Sequence, residues 1–237
     1  MNIAVIIAGG SGNRMKQDIP KQFLTVNEKP VIVYTLETFE RHPGIDEIIV
    51  VCLAGWEQIL WAYARQFNIS KLTKVVEGGD CGQNSIYRGI SALKEDHSSD
   101  DVVLIHDAIR PMVSDEIISD CIRTTREKGN AIAVIPCAEA MLLTDNQEDS
   151  DAVIERSTLK RTQTPQGCYL GKLLDIHDKA LQKGITSSTA SCTLMIEMGE
   201  TVYFSKGSEK NIKLTTVEDI DIFKALLLSK RSEWLKD

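Results

Sequence analysis

Short apolar runs alternate with longer amphipathic segments along the first half of the chain. The runs are rich in Val and Ile, which is typical of strands buried on both faces of a sheet. The predicted strands are residues 3–7, 47–53, 73–76, 102–105 and 131–135. Apolar positions at helical spacing predict helices over residues 30–39, 57–67, 85–93 and 115–126. This alternation predicts an α/β fold with a doubly wound, mostly parallel sheet and right-handed crossovers.

The pattern changes over residues 138–162, which are polar and irregular around an acidic stretch at 145–151. A strand, a turn and a returning strand near 153–154 predict a projecting β-arm, and a solvated surface loop is the alternative. After this arm the chain is predicted to return to the sheet with a strand at 202–204. It is predicted to close with a helix at 217–228.

Composition and charge narrow the function classes. The chain has 237 residues, of which 43% are hydrophobic and 26% charged, and we expect one α/β domain over residues 1–237. Its net charge of −7 argues against a duplex-DNA binder, which would be basic, so we expect no nucleic acid as a partner. A negative protein can still bind a phosphorylated small molecule where a few Lys and Arg converge.

The cysteines and the N-terminal segment indicate a compartment. Six cysteines are scattered without a CxxC pair, which argues against a zinc or disulfide framework and favours free thiols. The apolar start of the chain is too short for a signal sequence and lacks a basic flank. No run of 18 apolar residues is present, so we expect a cytoplasmic protein without a membrane partner.

A glycine-rich turn follows the first predicted strand. Three glycines within residues 9–12 would let backbone N–H groups approach an anion closely. The spacing matches neither the dinucleotide-binding fingerprint nor a Walker A loop, so a tight structural turn is the alternative. Arg14 and Lys21 suit a triphosphate and could stabilise charge at an attacked phosphorus. The alternative for them is two solvated surface charges.

Two more clusters follow predicted strands. A Gly-Gly-Asp turn at 78–80, with Ser85 after it, could read the edge of a nucleobase or form a simple loop with a helix cap. Asp107 ends the strand at 102–105, where a carboxylate could hold Mg²⁺. Arg110 could bind a phosphate through two hydrogen bonds, and a structural Asp–Arg ion pair is the alternative.

The last clusters lie at residues 163–166 and 211–216. Lys213 stands between apolar residues on a segment that resembles a strand, so its ammonium group is expected to face a specific partner. Thr216 and Asp219 form a capping pattern for the closing helix, which gives Thr216 a structural role.

Taken in order, the motifs AGGSGNRM, PKQFL, HDAIRP, QTPQ and NIKLTT resemble those of the sugar-alcohol phosphate cytidylyltransferases. This family includes 2-C-methyl-D-erythritol 4-phosphate and ribitol-5-phosphate cytidylyltransferases, and the resemblance covers residues 2–228. It implies that CTP and a polyol phosphate react to give a CDP-polyol and pyrophosphate. The reaction would be an in-line attack on the α-phosphorus without a covalent enzyme intermediate.

The resemblance also implies a role for each cluster. The residues that would stabilise the reacting phosphate are Arg14, Lys21 and Lys213. Those that would bind the nucleotide are Ala8, Gly9, Gly10, Ser11, Gly12, Gly79, Asp80 and Ser85. Asp107 would hold Mg²⁺, and the acceptor would be bound by Arg110, Thr215 and Arg156. The arm at 138–162 would make the protein a homodimer and carry Arg156 to the partner's site.

The chain departs from the family pattern at three places. Ala190 stands where the family has a metal-binding Asp, Glu139-Ala140 replaces an Asp-Thr pair in the arm, and Gly82 replaces an Arg of the cytosine loop. The leading hypothesis is an active cytidylyltransferase, and the Ala-Gly-Gly spelling favours ribitol 5-phosphate, for a surface polymer, over the isoprenoid precursor. The alternatives are a non-catalytic relative that binds these ligands or scaffolds an enzyme, and a sugar-1-phosphate nucleotidyltransferase that uses another nucleotide.

Overall fold

A seven-stranded sheet forms the centre of the computed structural model, which describes residues 1–10 and 19–229. In chain order the strands are β1 (Asn2–Ala8), β2 (Thr25–Val26), β3 (Lys29–Pro30), β4 (Glu47–Cys52), β5 (Leu72–Glu77), β6 (Val102–Asp107), β7 (Asn130–Pro136), β8 (Met141–Leu143), β9 (Ala152–Ile154), β10 (Lys160–Tyr169) and β11 (Phe204–Lys206). The helices are α1 (Val31–Arg41), α2 (Glu57–Gln66), α3 (Gly82–Ser91), α4 (Asp115–Lys128), α5 (Leu170–Gln182), α6 (Ser191–Glu197) and α7 (Val217–Leu228). Ser11, Gly12 and Arg14 lie outside the described residues.

The predicted doubly wound, mostly parallel sheet is confirmed. Its strand order is β11-β7-β10-β6-β1-β4-β5, and β10 alone runs antiparallel to its neighbours within this sheet of the described chain. No element is predicted from the sequence for β10, α5 or α6. Because β10 runs backwards, its first half lies beside the carboxyl ends of β6 and β7. Polar side chains from β10 therefore reach the edge at which parallel sheets bind ligands.

The two faces of β1 belong to two cores, which explains its nearly unbroken apolar sequence. Ala4 and Ile6 pack with α1 residues such as Phe39 on one face. Ile3 and Val5 pack with α3 residues such as Ile90 on the other face. Burying one such side chain is worth about 1.5–3 kcal/mol relative to leaving it exposed, so both helix layers hold the sheet in place.

Three predicted elements differ from the structure. Helix α3 begins at Gly82 rather than Ser85, because the Cys81 thiolate-side sulfur caps it by accepting a hydrogen bond from the Asn84 N–H. Strand β11 begins two residues later than predicted. The side chain of Asn130 bonds the backbone at 201 and 203 and takes the place of a longer ladder. The segment around Lys213 is irregular and not strand-like.

The predicted arm is a separate β-hairpin in which β8 pairs antiparallel with β9. Its apolar side chains are exposed, with Leu142 63% and Val153 73% accessible in the single chain. The hairpin therefore projects from the central sheet and displays apolar surface. No helix of the described residues combines the length and apolar character needed to cross a membrane.

Helix α3 lies so close to the sheet that Gly89 leaves no room for a side chain. A Cβ there would lie 2.6 Å from Cγ2 of Val51 and 2.8 Å from Cγ1 of Val5. We expect Gly89→Ala to lower the free energy of unfolding by about 1–2 kcal/mol, because overpacking outweighs the better helix propensity of Ala. Gly82→Ala is the control, since a Cβ at Gly82 meets nothing within 4 Å. Urea unfolding checks both, and an unchanged stability of Gly89→Ala would contradict the close packing.

Candidate functional site

A cleft of about 680 Å³ opens at the carboxyl ends of the parallel strands. It brings together residues that are far apart in the sequence and were predicted to act on one ligand. The predicted site residues that line it are Ala8, Gly9, Gly10, Lys21, Gly79, Asp80, Ser85, Asp107, Arg110 and Lys213. Gly82 and Ala190, two of the departures from the family pattern, line it as well.

The turns after β1 and β5 touch each other through glycine. A Cβ on Gly78 would lie 3.0 Å from the Cα of Gly9, and one on Gly9 would lie 3.3 Å from the Cα of Gly78. The Ser85 hydroxyl accepts a hydrogen bond from the Gly79 N–H at 3.0 Å, which ties α3 to the second turn. This hydroxyl keeps its own hydrogen to donate. Two backbone turns thus meet above a buried serine, as a nucleobase-binding loop requires.

Gln22 fixes the first turn, a role that the sequence analysis did not assign. Its buried side-chain amide donates to the carbonyls of Ala8 at 2.7 Å and Gly10 at 3.0 Å. Gln22 lies in the short 3-10 helix Lys21–Phe23, so these bonds also set the position of Lys21 beside the turn. Its place between Lys21 and the buried Phe23 was the available signal.

A relay of hydrogen bonds orients the end of β6. The Thr164 hydroxyl accepts the Asp107 N–H at 3.0 Å and lies 3.1 Å from Nδ1 of His106. The hydroxyl therefore donates to Nδ1, and Nε2–H of His106 donates to the Arg110 carbonyl at 3.3 Å. Burial lowers the pKa of His106 to about 4, so the ring is neutral at pH 7. This chain of bonds fixes both Asp107 and Arg110.

The Asp107 carboxylate lies between two cations. Nε of Arg110 donates to Oδ2 at 3.0 Å, and Nζ of Lys213 donates to Oδ1 at 3.2 Å. Burial opposes ionisation of Asp107, but Lys213 and Arg110 outweigh it and hold the pKa of the carboxyl below its usual range. The ion pair that the sequence analysis gave as an alternative for Asp107 and Arg110 is therefore present, and both residues still line the cleft.

Lys213 is held in place by a network around Gln163 and Asn211. The Asn211 amide donates to the Thr164 carbonyl at 2.9 Å, and its own carbonyl accepts from Arg110 at 2.8 Å. The Gln163 amide donates to the Ser208 carbonyl at 2.9 Å. A single backbone bond from Leu214 to Ile109 completes the attachment. These side chains replace the strand pairing that was expected for this segment.

The cleft offers one of the two carboxylates that the family pattern provides for a metal. Asp107 could contribute oxygen ligands, and Ala190 lines the cleft where the second Asp is expected. No group of three or more His, Cys, Asp or Glu is clustered within residues 1–10 and 19–229. Mg²⁺ is commonly held by one or two carboxylates together with substrate phosphates and water. The residues present therefore fit a Mg²⁺ ion that arrives with a phosphorylated ligand.

Two predicted acceptor residues do not line the cleft of the described chain. The Thr215 hydroxyl donates to the Lys213 carbonyl at 3.2 Å, and Asp219 binds the N–H of Thr215. Arg156 lies in the arm and donates to the Ala138 carbonyl at 3.0 Å. The roles of both in acceptor binding stay predictions. Thr216 and Asp219 form the predicted capping box of α7.

Comparison with known proteins agrees with this geometry. Residues 2–229 match the family of 2-C-methyl-D-erythritol 4-phosphate cytidylyltransferases. The chain is 44% identical to a ribitol-5-phosphate cytidylyltransferase of Lacticaseibacillus paracasei, with 97% of this chain and 99% of the relative covered. It is 36% identical to a 2-C-methyl-D-erythritol 4-phosphate cytidylyltransferase of Clostridium botulinum, with 95% and 97% covered. A solved 4-diphosphocytidyl-2C-methyl-D-erythritol synthase from Anaerococcus prevotii superposes with a TM-score of 0.83 at 25% identity, with 96% of each chain covered.

The neutral, buried His106 makes stability depend on pH. Its pKa is about 4 in the folded chain and about 6.5 in the unfolded chain, so its contribution is complete above pH 6.5 and is lost as the pH falls toward 4. Relative to pH 7.5, we expect a loss of about 2 kcal/mol from this residue at pH 5. In His106→Gln the loss should be smaller by that amount, as measured by urea unfolding at both pH values. An equal loss in the variant and the wild type would contradict this origin.

Proposed function

This chain belongs to the 2-C-methyl-D-erythritol 4-phosphate cytidylyltransferase family, and from this membership we propose that it transfers the cytidylyl group of CTP to ribitol 5-phosphate. The protein is a nucleotidyltransferase enzyme. Ribitol 5-phosphate is favoured over 2-C-methyl-D-erythritol 4-phosphate because relatives named for the ribitol compound share more of the sequence. The observation that carries the proposal is the convergence of Lys21, Arg110 and Lys213 on a cleft whose turns can hold a nucleotide.

The cations of the cleft suit an attack of one phosphate on another. An oxygen of the ribitol phosphate bonds to the α-phosphorus of CTP, the bond from that phosphorus to the bridging oxygen breaks, and pyrophosphate leaves. Lys21 and Lys213 stabilise the negative charge that builds on the α-phosphate, together with Arg14 from the glycine-rich turn. Arg110 and Lys213 already surround a carboxylate, so their positions are fixed before a phosphate binds.

The turns after β1 and β5 bind the nucleotide in this proposal. The backbone of Ala8, Gly9, Gly79 and Asp80 would read the cytosine edge with the Ser85 hydroxyl, whose hydrogen is not used within the protein. Gly10, Ser11 and Gly12 would lie along the phosphates. The close contact of Gly9 with Gly78 supports this assignment, because it leaves no side chain to block the base.

Mg²⁺ is the proposed metal, and Asp107 would hold it together with substrate phosphates. When bound, it would neutralise phosphate charge and polarise the α-phosphate. Asp107 would then pass from Lys213 to the metal, which leaves that lysine able to contact phosphate. Because Ala190 supplies no second carboxylate, the protein should need more Mg²⁺ than a family member with Asp there.

The exposed arm supports a homodimer. Its hairpin displays the apolar side chains of Met141, Leu142 and Leu143 together with Val153. Such a projecting pair of strands is usually covered by another chain, and a two-fold dimer is the commonest arrangement that does so. The arm of one chain would then bring Arg156 to the acceptor phosphate in its partner's cleft.

The thiols support a cytoplasmic location for this enzyme. Every one of the six cysteines is free, and Cys81 alone among them is not fully buried. A reducing compartment keeps such cysteines unpaired.

The test of the function is pyrophosphate release from CTP with candidate acceptors. We expect turnover with ribitol 5-phosphate to exceed that with 2-C-methyl-D-erythritol 4-phosphate, and CTP to exceed UTP, GTP and ATP. Lys213→Ala should lower kcat by about 10²–10³-fold, because a group that stabilises the reacting phosphate is lost. Lys210→Ala, an exposed lysine of the same segment outside the cleft, should leave kcat unchanged. Binding of CTP without turnover on any acceptor would favour the non-catalytic alternative.

The metal assignment is tested by Ala190→Asp. A second carboxylate in the cleft should lower the Mg²⁺ concentration for half-maximal activity by about tenfold, the size of one charge-assisted contact. Ser187→Asp is the control, because Ser187 adds the same charge to this segment but does not line the cleft. A Mg²⁺ titration that Ala190→Asp leaves unchanged would count against the placement of Ala190 at the metal.

Mixing two inactive variants tests the dimer. Arg156→Ala should raise the KM for the acceptor far more than the KM for CTP, and Lys21→Ala should abolish turnover. An equal mixture of the two chains should regain about a quarter of wild-type activity, because half of the dimers are mixed and each of these has one intact site. A monomer in sedimentation at micromolar concentration, or no recovery on mixing, would refute the shared site.

A further inference from the structure

One side of the cleft is lined by buried polar side chains that none of the proposed catalytic roles uses. Gln83 of α3, Gln166 of β10, His177 of α5 and Ser191 of α6 are all nearly inaccessible, yet all line the cleft. We call these four residues the polar wall. Buried polar groups are rarely left without partners, so each member should have a role.

Two members of the polar wall are satisfied within the protein. The Gln83 amide donates to the Ile185 carbonyl and accepts from the Ser188 N–H, each at 2.7 Å. The Gln166 amide accepts from the Cys192 N–H at 2.9 Å and donates to the Gln163 carbonyl at 3.2 Å. These bonds hold α6 against α3 and β10 and give the wall a fixed shape.

The other two members are not satisfied. Oγ of Ser191 and Nε2 of His177 are buried, and neither has a hydrogen-bond partner among the described residues. The side chains are 4% and 2% exposed. A hydroxyl and a ring nitrogen that lose water in this way are costly unless something else binds them. Because both residues line the cleft, a bound ligand can provide the missing partner.

The chemistry of the polar wall selects an uncharged ligand group. Burial lowers the pKa of His177 to about 4, so the imidazole is neutral and Nε2 can donate or accept a hydrogen bond. Ser191 can also do either, and its neighbour Ala190 adds no charge. The cations of the cleft surround Asp107 instead. A phosphate therefore suits the cationic part of the cleft, and a hydroxyl group, which donates and accepts at once, suits the polar wall.

We propose that Ser191 and His177 bind a substrate hydroxyl group, which belongs either to the ribose of the nucleotide or to the polyol chain of the acceptor. This inference rests on the proposed function, because both substrates combine phosphates with hydroxyl-bearing carbons. It makes the polar wall a determinant of specificity for substrates that carry a hydroxyl at this position.

The test measures KM for each substrate in Ser191→Ala and His177→Leu. Each change should raise the KM of one substrate by about three- to tenfold and leave kcat unchanged, as the loss of one neutral hydrogen bond would. His177→Gln, whose amide can donate or accept, should restore part of the affinity. Ser205→Ala is the control, because Ser205 is as buried at 5% but lies on β11 outside the cleft.

The pattern of change identifies the source of the hydroxyl. If the KM of CTP rises and 2′-deoxy-CTP or 3′-deoxy-CTP is insensitive to Ser191→Ala, the ribose is bound. If the KM of ribitol 5-phosphate rises alone, the polyol is bound. Unchanged KM values, or losses that follow a lowered melting temperature as in Ser205→Ala, would overturn the proposal.

Failure of the proposed function gives a different result. The wild type would then release no pyrophosphate with any pair of substrates, and binding of CTP and of ribitol 5-phosphate would be measured by calorimetry instead. Weaker binding of either compound to Ser191→Ala than to wild type would still support the polar wall. Equal binding, or no binding of either compound to the wild type, would overturn it.

Discussion

The carboxylate of Asp107, held between Arg110 and Lys213, is the interaction on which the site depends. It lies at the end of β6, where a negative charge would be costly without its two cations. The same contacts keep three charged groups fixed beside the cleft before any ligand binds. A phosphorylated ligand with its counter-ion can replace these contacts one for one, which lets the site exchange charges without exposing a bare one.

The surroundings of Asp107 show why neutral groups are packed against it. Thr164 links the Asp107 backbone to a histidine that burial keeps uncharged, and that histidine binds the backbone of Arg110. A protonated ring here would add a third positive charge to a buried cluster. The antiparallel direction of β10 makes the arrangement possible, since it brings Thr164 to the carboxyl end of β6.

The cleft thus separates two kinds of recognition. Charge lies with Asp107 and its partners, while α3, α5 and α6 present a wall of neutral polar groups. Reactions between two phosphates require the first, because negative charge must be neutralised. Discrimination between substrates with similar phosphates requires the second, because neutral hydrogen bonds report where hydroxyl groups lie. The arm, with its exposed apolar strands, extends this division to a second copy of the chain.

The sequence by itself determined the central strands, the glycine-rich turns and the order of the functional motifs. Period and apolar content are local properties, and a run such as residues 3–7 can be buried only inside a sheet covered on both faces. Closely spaced motifs also showed which residue types meet a nucleotide. The place of Lys21 and Lys213 in one cleft follows from strand ends that parallel sheets bring to one edge.

Only the tertiary structure decided how those residues are held. Thr164, Asn211 and Gln22 bond groups that are distant in the sequence, and no local pattern marks such partners. The irregular path around Lys213 depends on side chains that take over strand pairing, and the thiol cap of α3 depends on a residue that rarely caps helices. The empty hydrogen-bonding positions of Ser191 and His177 also exist only after folding, because burial is a property of the packed chain and not of its sequence.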